Sequence, residues 1–223
     1  MNLPLKFMAM MLLCGCLLVP MGSQGEELPP IPLLKPRMES GKPLMQALKD
    51  RQSSRAFSSE KLPLQTLSDL LWAACGINRP DSGKRTAPTA GNRQEIDVYV
   101  ATVEGLYLYD ASAHALKPVR AGDIRALTGK QAFVKEAPVN LIFVADLSKM
   151  GKTSPQDRDF YAATDTGFIS QNVYLYCASE GLATVVLGML DRTVLAKAMN
   201  LRPDQKIILT QSVGLPKKEA AKE

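Results

Sequence analysis

The chain has 223 residues, of which 46% are hydrophobic and 22% charged, with a formal net charge of +5. That length and balance suit one good-sized domain with its own core and argue against global disorder. No Lys/Arg run is dense or interleaved with aromatic residues, which argues against a nucleic-acid partner, whereas a mild positive balance is compatible with an anionic cofactor.

Lys6 is followed by an apolar run from Phe7 to Val19, broken by Pro20 and Gly22. With the small residues of Ser23-Gln-Gly25, this is the layout of a secretory signal peptide over residues 1–25. The run is short for a bilayer span, and a retained membrane anchor is the alternative. Leu13-Cys-Gly-Cys16 partly resembles a lipobox, but the apolar residues after Cys16 argue against a lipoprotein. The expected location is therefore periplasmic or secreted. Export leaves Cys75 and Cys177, both in apolar helical patterns and neither in a CxxC pair. Two buried free thiols are expected, with a single disulfide as the alternative. With one histidine, His114, a structural zinc site is not expected.

Residues 26–42 hold Pro29, Pro30, Pro32 and Pro36 and read as an extended arm without regular structure. The globular domain spans 43–216, with a charged tail over 217–223. Pro43 to Asp50 reads as a helix. Leu62 to Cys75 reads as another, with Leu64, Leu67, Leu71 and Ala74 at helical spacing, Trp72 in the core and Gly76 as a stop. Residues 79–94 read as a turn-rich loop. Ile96–Val103 and Leu106–Tyr109, around Glu104-Gly105, read as a hairpin, and His114 as a surface residue in the turn after it. Asp123 to Leu127 reads as a short helix capped by Asp123. Val139 to Ala145 reads as a buried central strand.

Asp165 to Leu182 reads as the clearest helix, with Ile169, Val173 and Tyr176 on one face, Phe168 and Leu175 beside it, and Gly181 ending it. Ala183 to Leu190 reads as a strand interrupted by Gly188, Arg192 to Met199 as a helix and Lys206 to Val213 as the last strand. Strands and helices mix without strict alternation, so the fold class is α+β.

Three separated features could share one ligand. Arg51-Gln-Ser-Ser-Arg55 places two guanidiniums and two hydroxyls in five residues, a donor set suited to phosphate oxygens. Ala87-Pro-Thr-Ala-Gly-Asn92 is a small-residue loop ending in an amide. Val185-Val-Leu-Gly188 lets backbone approach a flat ligand closely. A flavin could use all three. Lys84 and Arg85 read as a solvated charge pair or as further ligand contacts.

In order and spacing, these motifs resemble the nitroreductase family of FMN oxidoreductases. The resemblance rests on Arg51, Ser53, Arg55 and Phe57, on Pro88 to Asn92, on Gly181 to Asp191, and on Val213 to Pro216. The Arg85–Gly91 loop and the Gly105–Asp110 hairpin look most like the SagB-type dehydrogenase branch. The resemblance implies an α+β homodimer with a mostly antiparallel central sheet flanked by helices and FMN at the subunit interface. Arg51, Gln52, Ser53, Ser54 and Arg55 would hold the FMN phosphate and pyrimidine edge. Pro88, Thr89 and Asn92 would lie against the isoalloxazine, with Asn92 bonded to it, and Leu187 and Gly188 would offer backbone N–H groups near its N5. NAD(P)H or another reduced donor would supply electrons, and a small-molecule acceptor would receive them in ping-pong order. No side chain is assigned as general acid or base, because the flavin carries the redox chemistry. A non-enzymatic, ligand-binding dimer of the same fold is the alternative. The family's usual basic pair near the C-terminus is missing, leaving Lys217 or Lys218 as substitutes.

Overall fold

The computed structural model describes residues 28–217. The signal-peptide reading of 1–25 lies outside the described residues, as does the tail from 218 onward. In chain order the elements are β1 (Ile31–Pro32), α1 (Leu44–Asp50), α2 (Leu64–Cys75), β2 (Ile77–Arg79), β3 (Lys84–Arg85), β4 (Ile96–Ala101), β5 (Gly105–Asp110), β6 (Ala115–Ala121), β7 (Val139–Asp146), α3 (Pro155–Glu180), β8 (Ala183–Leu187), α4 (Arg192–Ala198) and β9 (Gln205–Gly214). Seven strands form one sheet in the order β1-β6-β5-β4-β7-β9-β8. Every neighbouring pair is antiparallel, so the class is α+β as expected.

Both faces of this sheet are covered. In β7, Val139, Leu141, Phe143 and Ala145 join the cluster that holds Leu70 and Leu71 of α2 and Ile169 and Val173 of α3. Ile142 and Val144 join the opposite cluster with Leu195 of α4 and Met199. Side chains alternate faces along a strand, so two covered faces give an unbroken buried run.

Several expectations are corrected. Residues 79–94 contain the two-stranded β2–β3 ladder and are not only loop. The Pro-rich arm is not wholly irregular: Ile31 and Pro32 pair with Leu116 and Ala115 of β6, a strand absent from the sequence reading. Pro32 is acceptable there because β1 is an edge strand. His114 is a fastener for this arm and not a plain surface residue. Its Nδ1 lies 3.0 Å from Tyr109 Oη and its Nε2 2.9 Å from the Leu34 carbonyl, which fixes the donor at Nε2. Asp69, buried on α2, accepts from both the N–H and the Nε of Arg37.

Leu64 is exposed, leaving Leu67, Leu71 and Ala74 as the inward face of α2, and Trp72 is only half-buried. Phe168 is likewise exposed. The helix expected from Asp165 begins at Pro155, ten residues earlier, and ends at Glu180 with Gly181 in the left-handed region (φ 71°). Asp123 does not open an α-helix: the turn is 3₁₀ over Arg125–Leu127, although Asp123 Oδ1 still accepts the Arg125 N–H at 2.9 Å.

Cys75 and Cys177 are free and buried. Burial pushes the Cys75 thiol up to about 11 and raises Cys177 as well. At pH 8 the Cys75 thiolate is then about one part in a thousand, and thiolate is the reactive form. In a variant with Cys14 and Cys16 replaced by Ser, a thiol-specific dye at pH 8 should label neither cysteine in the folded protein and both in guanidinium. Rapid labelling of the folded protein would contradict this packing.

Candidate functional site

The basic segment begins where α1 stops. Arg51 N–H closes the helix on the Ala47 carbonyl at 2.9 Å, and the chain then turns extended. Ser54 N–H donates to the Thr184 carbonyl at 2.9 Å, which fastens the loop to β8. Tyr174, buried on α3, completes the junction. Its Oη accepts the Val186 N–H at 2.9 Å and lies 2.8 Å from Ser53 Oγ. The Arg51 guanidinium sits over the Tyr174 ring, 5.4 Å from its centroid, a cation–π arrangement that orients the fork. Gln52, Ser53 and Arg55 are exposed. Among the described residues, neither Arg51 nor Arg55 is ion-paired with an acidic group.

The C-terminus returns to this loop. Phe57 bridges Pro216, Ser58 N–H donates to the Leu215 carbonyl at 2.9 Å, and Lys217 N–H donates to the Ala56 carbonyl at 3.2 Å. Lys217 therefore lies alongside the segment that carries Arg55. A cavity of about 550 Å³ opens beside the loop, lined by Lys42, Lys49, Arg51, Gln52, Ser54 and Thr184 among others. Lys42 there is paired with Asp50, whose carboxyl it holds below its ordinary value by hydrogen bonding, with help from Gln46.

The second feature is a tight loop. Thr89 accepts the Asn92 N–H on its carbonyl and the Gln94 N–H on Oγ1. The Ala90 peptide is held at both ends: its N–H donates to Asp165 Oδ2 of α3 at 2.9 Å, and its carbonyl accepts from Arg93 Nη1 at 3.2 Å. Gly91 and Asn92 both take positive φ (62° and 53°), a conformation that suits Gly and Asn. Pro88 and Asn92 are exposed. Asn92 Oδ1 accepts from Gln94 Nε2 at 3.2 Å. Arg85 Nε donates to Gln94 Oε1 at 2.9 Å, so Arg85 braces this loop, while Lys84 is exposed.

The third feature ends β8. Leu187 pairs with Thr210 and its side chain is buried, whereas Gly188 is exposed. A Cβ on Gly188 would meet only Leu209 Cδ2, at an ordinary 3.6 Å, and its φ is not left-handed. The chain's own packing does not demand glycine there; a ligand lying against that backbone would.

All three features are tied to α3: the loop over 51–54 through Tyr174, the loop over 88–92 through Asp165, and β8, which ends just before Gly188, through the Tyr174–Val186 bond. Sequence reasoning singled out neither Tyr174 nor Asp165 as an anchor, and it missed Thr184. It favoured Tyr176, which is half-buried and makes only a 3.3 Å bond to the Thr66 carbonyl. The signal for Tyr174 lay in spacing: Ser170, Tyr174 and Cys177 follow one another at helical steps on the buried side.

A family model described as the nitroreductase family matches residues 48–215. The chain belongs to the nitroreductase family. A crystal structure described as a "putative nitroreductase" from Ralstonia eutropha JMP134 superposes with a TM-score of 0.83 at 45% identity, covering 87% of this chain and 93% of that one. The Methanocaldococcus jannaschii protein of the same description is 34% identical over 149 residues, 62% of this chain and 74% of its own length. An Escherichia coli chain from the microcin synthetase McbBCD complex shares the fold, with a TM-score of 0.66 at 22% identity over 83% of this chain and 78% of that one.

Tyr174→Phe should leave the half-buried Val186 N–H without its partner and free Ser53, at a cost of about 1–3 kcal/mol in urea denaturation. The same change at Tyr176 should cost about 1 kcal/mol or less. Equal effects at the two tyrosines would remove Tyr174 from its place as the loop's anchor.

Proposed function

We propose that this protein is an exported FMN-dependent oxidoreductase that passes electrons from a reduced donor such as NAD(P)H to a small-molecule acceptor. The nitroreductase family membership supports oxidoreductase chemistry, and members of the family generally bind flavin. The observation that carries the FMN reading is the pair of guanidiniums at Arg51 and Arg55, without acidic partners among the described residues, on a loop bonded to the strand that ends at open Gly188. Arg51, Ser53, Arg55 and the adjacent Lys217 would hold the phosphate. Asn92 and the backbone at Leu187 and Gly188 would position the ring system. The flavin, when bound, supplies the redox chemistry.

The chain's own contribution is orientation and charge. Arg51 is preorganised by stacking on Tyr174, so less side-chain entropy is lost when it grips an oxyanion. Export rests on the signal-peptide layout of residues 1–25. The SagB-type branch rests on the Arg85–Gly91 loop and the Gly105–Asp110 hairpin. The homodimer reading is supported by exposed apolar side chains on two helices packed together: Leu44 and Met45 of α1 are 62% and 76% exposed, and Phe160 of α3 is 64% exposed. A second copy would cover them.

The purified protein should show flavin absorbance, as isolated or after incubation with FMN. Arg51→Ala and Arg55→Ala should each weaken FMN binding about ten- to hundredfold, the loss of one charge-assisted contact. A protein that never takes up FMN would sink this reading, and FMN binding with no turnover of any donor–acceptor pair would support a binding role instead. Light scattering should give the mass of a dimer, with Phe160→Asp combined with Phe168→Asp shifting it to a monomer; a wild-type monomer would remove the dimer.

A further inference from the structure

Glu95 stands immediately before β4 with its side chain fully buried, and neither carboxyl oxygen has a donor. A second acid, the buried Asp165 of α3, is the neighbour whose hydrogen bonding and charge raise Glu95 beyond what burial does. Two carboxylates facing each other have no proton between them: Asp165 would keep only the Ala90 N–H, and Glu95 would carry an uncompensated buried charge. The surrounding charges do not supply the missing donor. From the loop, Arg93 donates to the Ala90 carbonyl and only attracts Glu95 at a distance. Arg85 of β3 is turned to Gln94. Asp97 of β4 is paired with Lys149, and Asp146 of β7 with Arg202. The arrangement resolves if one proton sits between the two acids, on Glu95, which then donates to Asp165.

We propose that Glu95 and Asp165 share a single buried proton, and that this pair positions the Pro88–Asn92 loop against α3. Asp165 is the loop's anchor, because its Oδ2 accepts the Ala90 N–H. Glu95 stands at the far end of the same loop, with its own carbonyl fixed by the Asp146 N–H at 2.8 Å. With the proton in place, the pair carries one negative charge, stabilised by the Ala90 N–H and the Glu95 O–H. When the proton leaves, two like charges face each other under the loop, and the cheapest relief is for the loop and Glu95 to move away. Glu95 reaches no solvent and is a positioning residue. The link from loop position to the flavin ring rests on the function proposed above; the shared proton does not.

Burial, with hydrogen bonding to Asp165 as a further cause, lifts Glu95 from 4.5 to about 7. Between those values the folded chain holds a proton that the unfolded chain has lost. The native state therefore loses stability as pH rises through that window, and the loss is complete above about 7. Glu95→Gln keeps a donor toward Asp165 and cannot titrate. From pH 5 to 6.5 the ratio of its folding constant to that of the wild type should climb about tenfold per pH unit, then level off. Parallel pH profiles would overturn the proposal.

If Glu95→Gln does not fold, infrared spectroscopy of the wild type decides. A protonated-carboxyl stretch at pH 6 that is lost above pH 8 while the fold persists supports the shared proton, and its absence overturns it. Amide exchange reports the positioning role: protection at Ala90 should fall in Asp165→Ala, which removes the acceptor, and in the wild type above pH 7 after correction for intrinsic rates. Unchanged protection in both would overturn that role. A protein that shows the stability slope but binds FMN at no pH would uphold the shared proton and remove the flavin reading.

Discussion

The half-cylinder of α3 that faces the sheet has Asp165 at one rim and Tyr174 at the other. Nine residues separate them, which at 3.6 residues per turn is about 180° of rotation. Between them in angle lie the buried apolar Ala162, Ile169, Val173 and Cys177, interrupted by the buried hydroxyls of Thr166 and Ser170. That greasy arc seats the helix across the sheet, and its two polar rims are left to catch whatever passes at each side. One rim catches the loop over residues 88–92, and the other catches the loop over 51–54 together with β8. The hydrophobic effect sets where α3 lies, and two hydrogen-bonding side chains convert that placement into a site. Loops carry the candidate ligand contacts, and the rigid helix beneath fixes their separation.

Local chemistry was legible in the sequence, and long-range partnership was not. Arg51 and Arg55, the small residues of 88–92 and the glycine after Leu187 announce their capabilities alone, because a guanidinium or a missing Cβ acts wherever it sits. Tyr174 and Asp165 act only through residues far along the chain, so helical periodicity passed over Tyr174 and treated Asp165 as a helix start. β6 was hidden by composition: Lys117, Pro118 and Arg120 suit a strand near a sheet edge but break an alternation pattern. The first ten residues of α3 were hidden because Ala162 alone among them is buried, so they offer no apolar stripe. Their signal was at the terminus. Ser154 accepts the Asp157 N–H on its Oγ, and Pro155 sits at the first helical position, both start marks independent of burial.

The C-terminal segment returns to the basic loop: Leu215 and Lys217 pair with backbone on either side of Phe57, a few residues past Arg55. A lysine is a compact point charge, able to serve an anion without the planar geometry a guanidinium needs. The backbone pairing places Lys217 next to the segment that carries Arg55, adding a cation of a second shape beside it. Elsewhere in the described chain Lys61, Lys117, Lys149 and Lys206 are each paired with an acid, whereas no such pair takes up the charge of Arg51 or Arg55 among the described residues.

The polar groups under the sheet make Glu95 harder to dismiss as an ordinary imperfection of packing. Ser170 donates to Gln211, Gln211 to Thr184 and Thr184 to the Ser212 carbonyl; Ser212 donates to Asn140, and Asn140 to the Val134 carbonyl. Five buried polar side chains are thus satisfied in sequence across three strands and a helix, as buried polar groups in native proteins generally are. Single atoms of Gln131, Arg158 and Thr166 are also buried without partners, but Glu95 stands apart among the described residues because both oxygens of one carboxyl are bare. Adding one proton brings Glu95 under the same rule, using an acceptor already present on α3. Removing the acid altogether would also satisfy the rule, and more cheaply in free energy, since an apolar residue there would need no partner. Keeping an acid at that position is therefore a cost in stability. It makes physical sense only if a group that can change its charge beneath the loop is worth having.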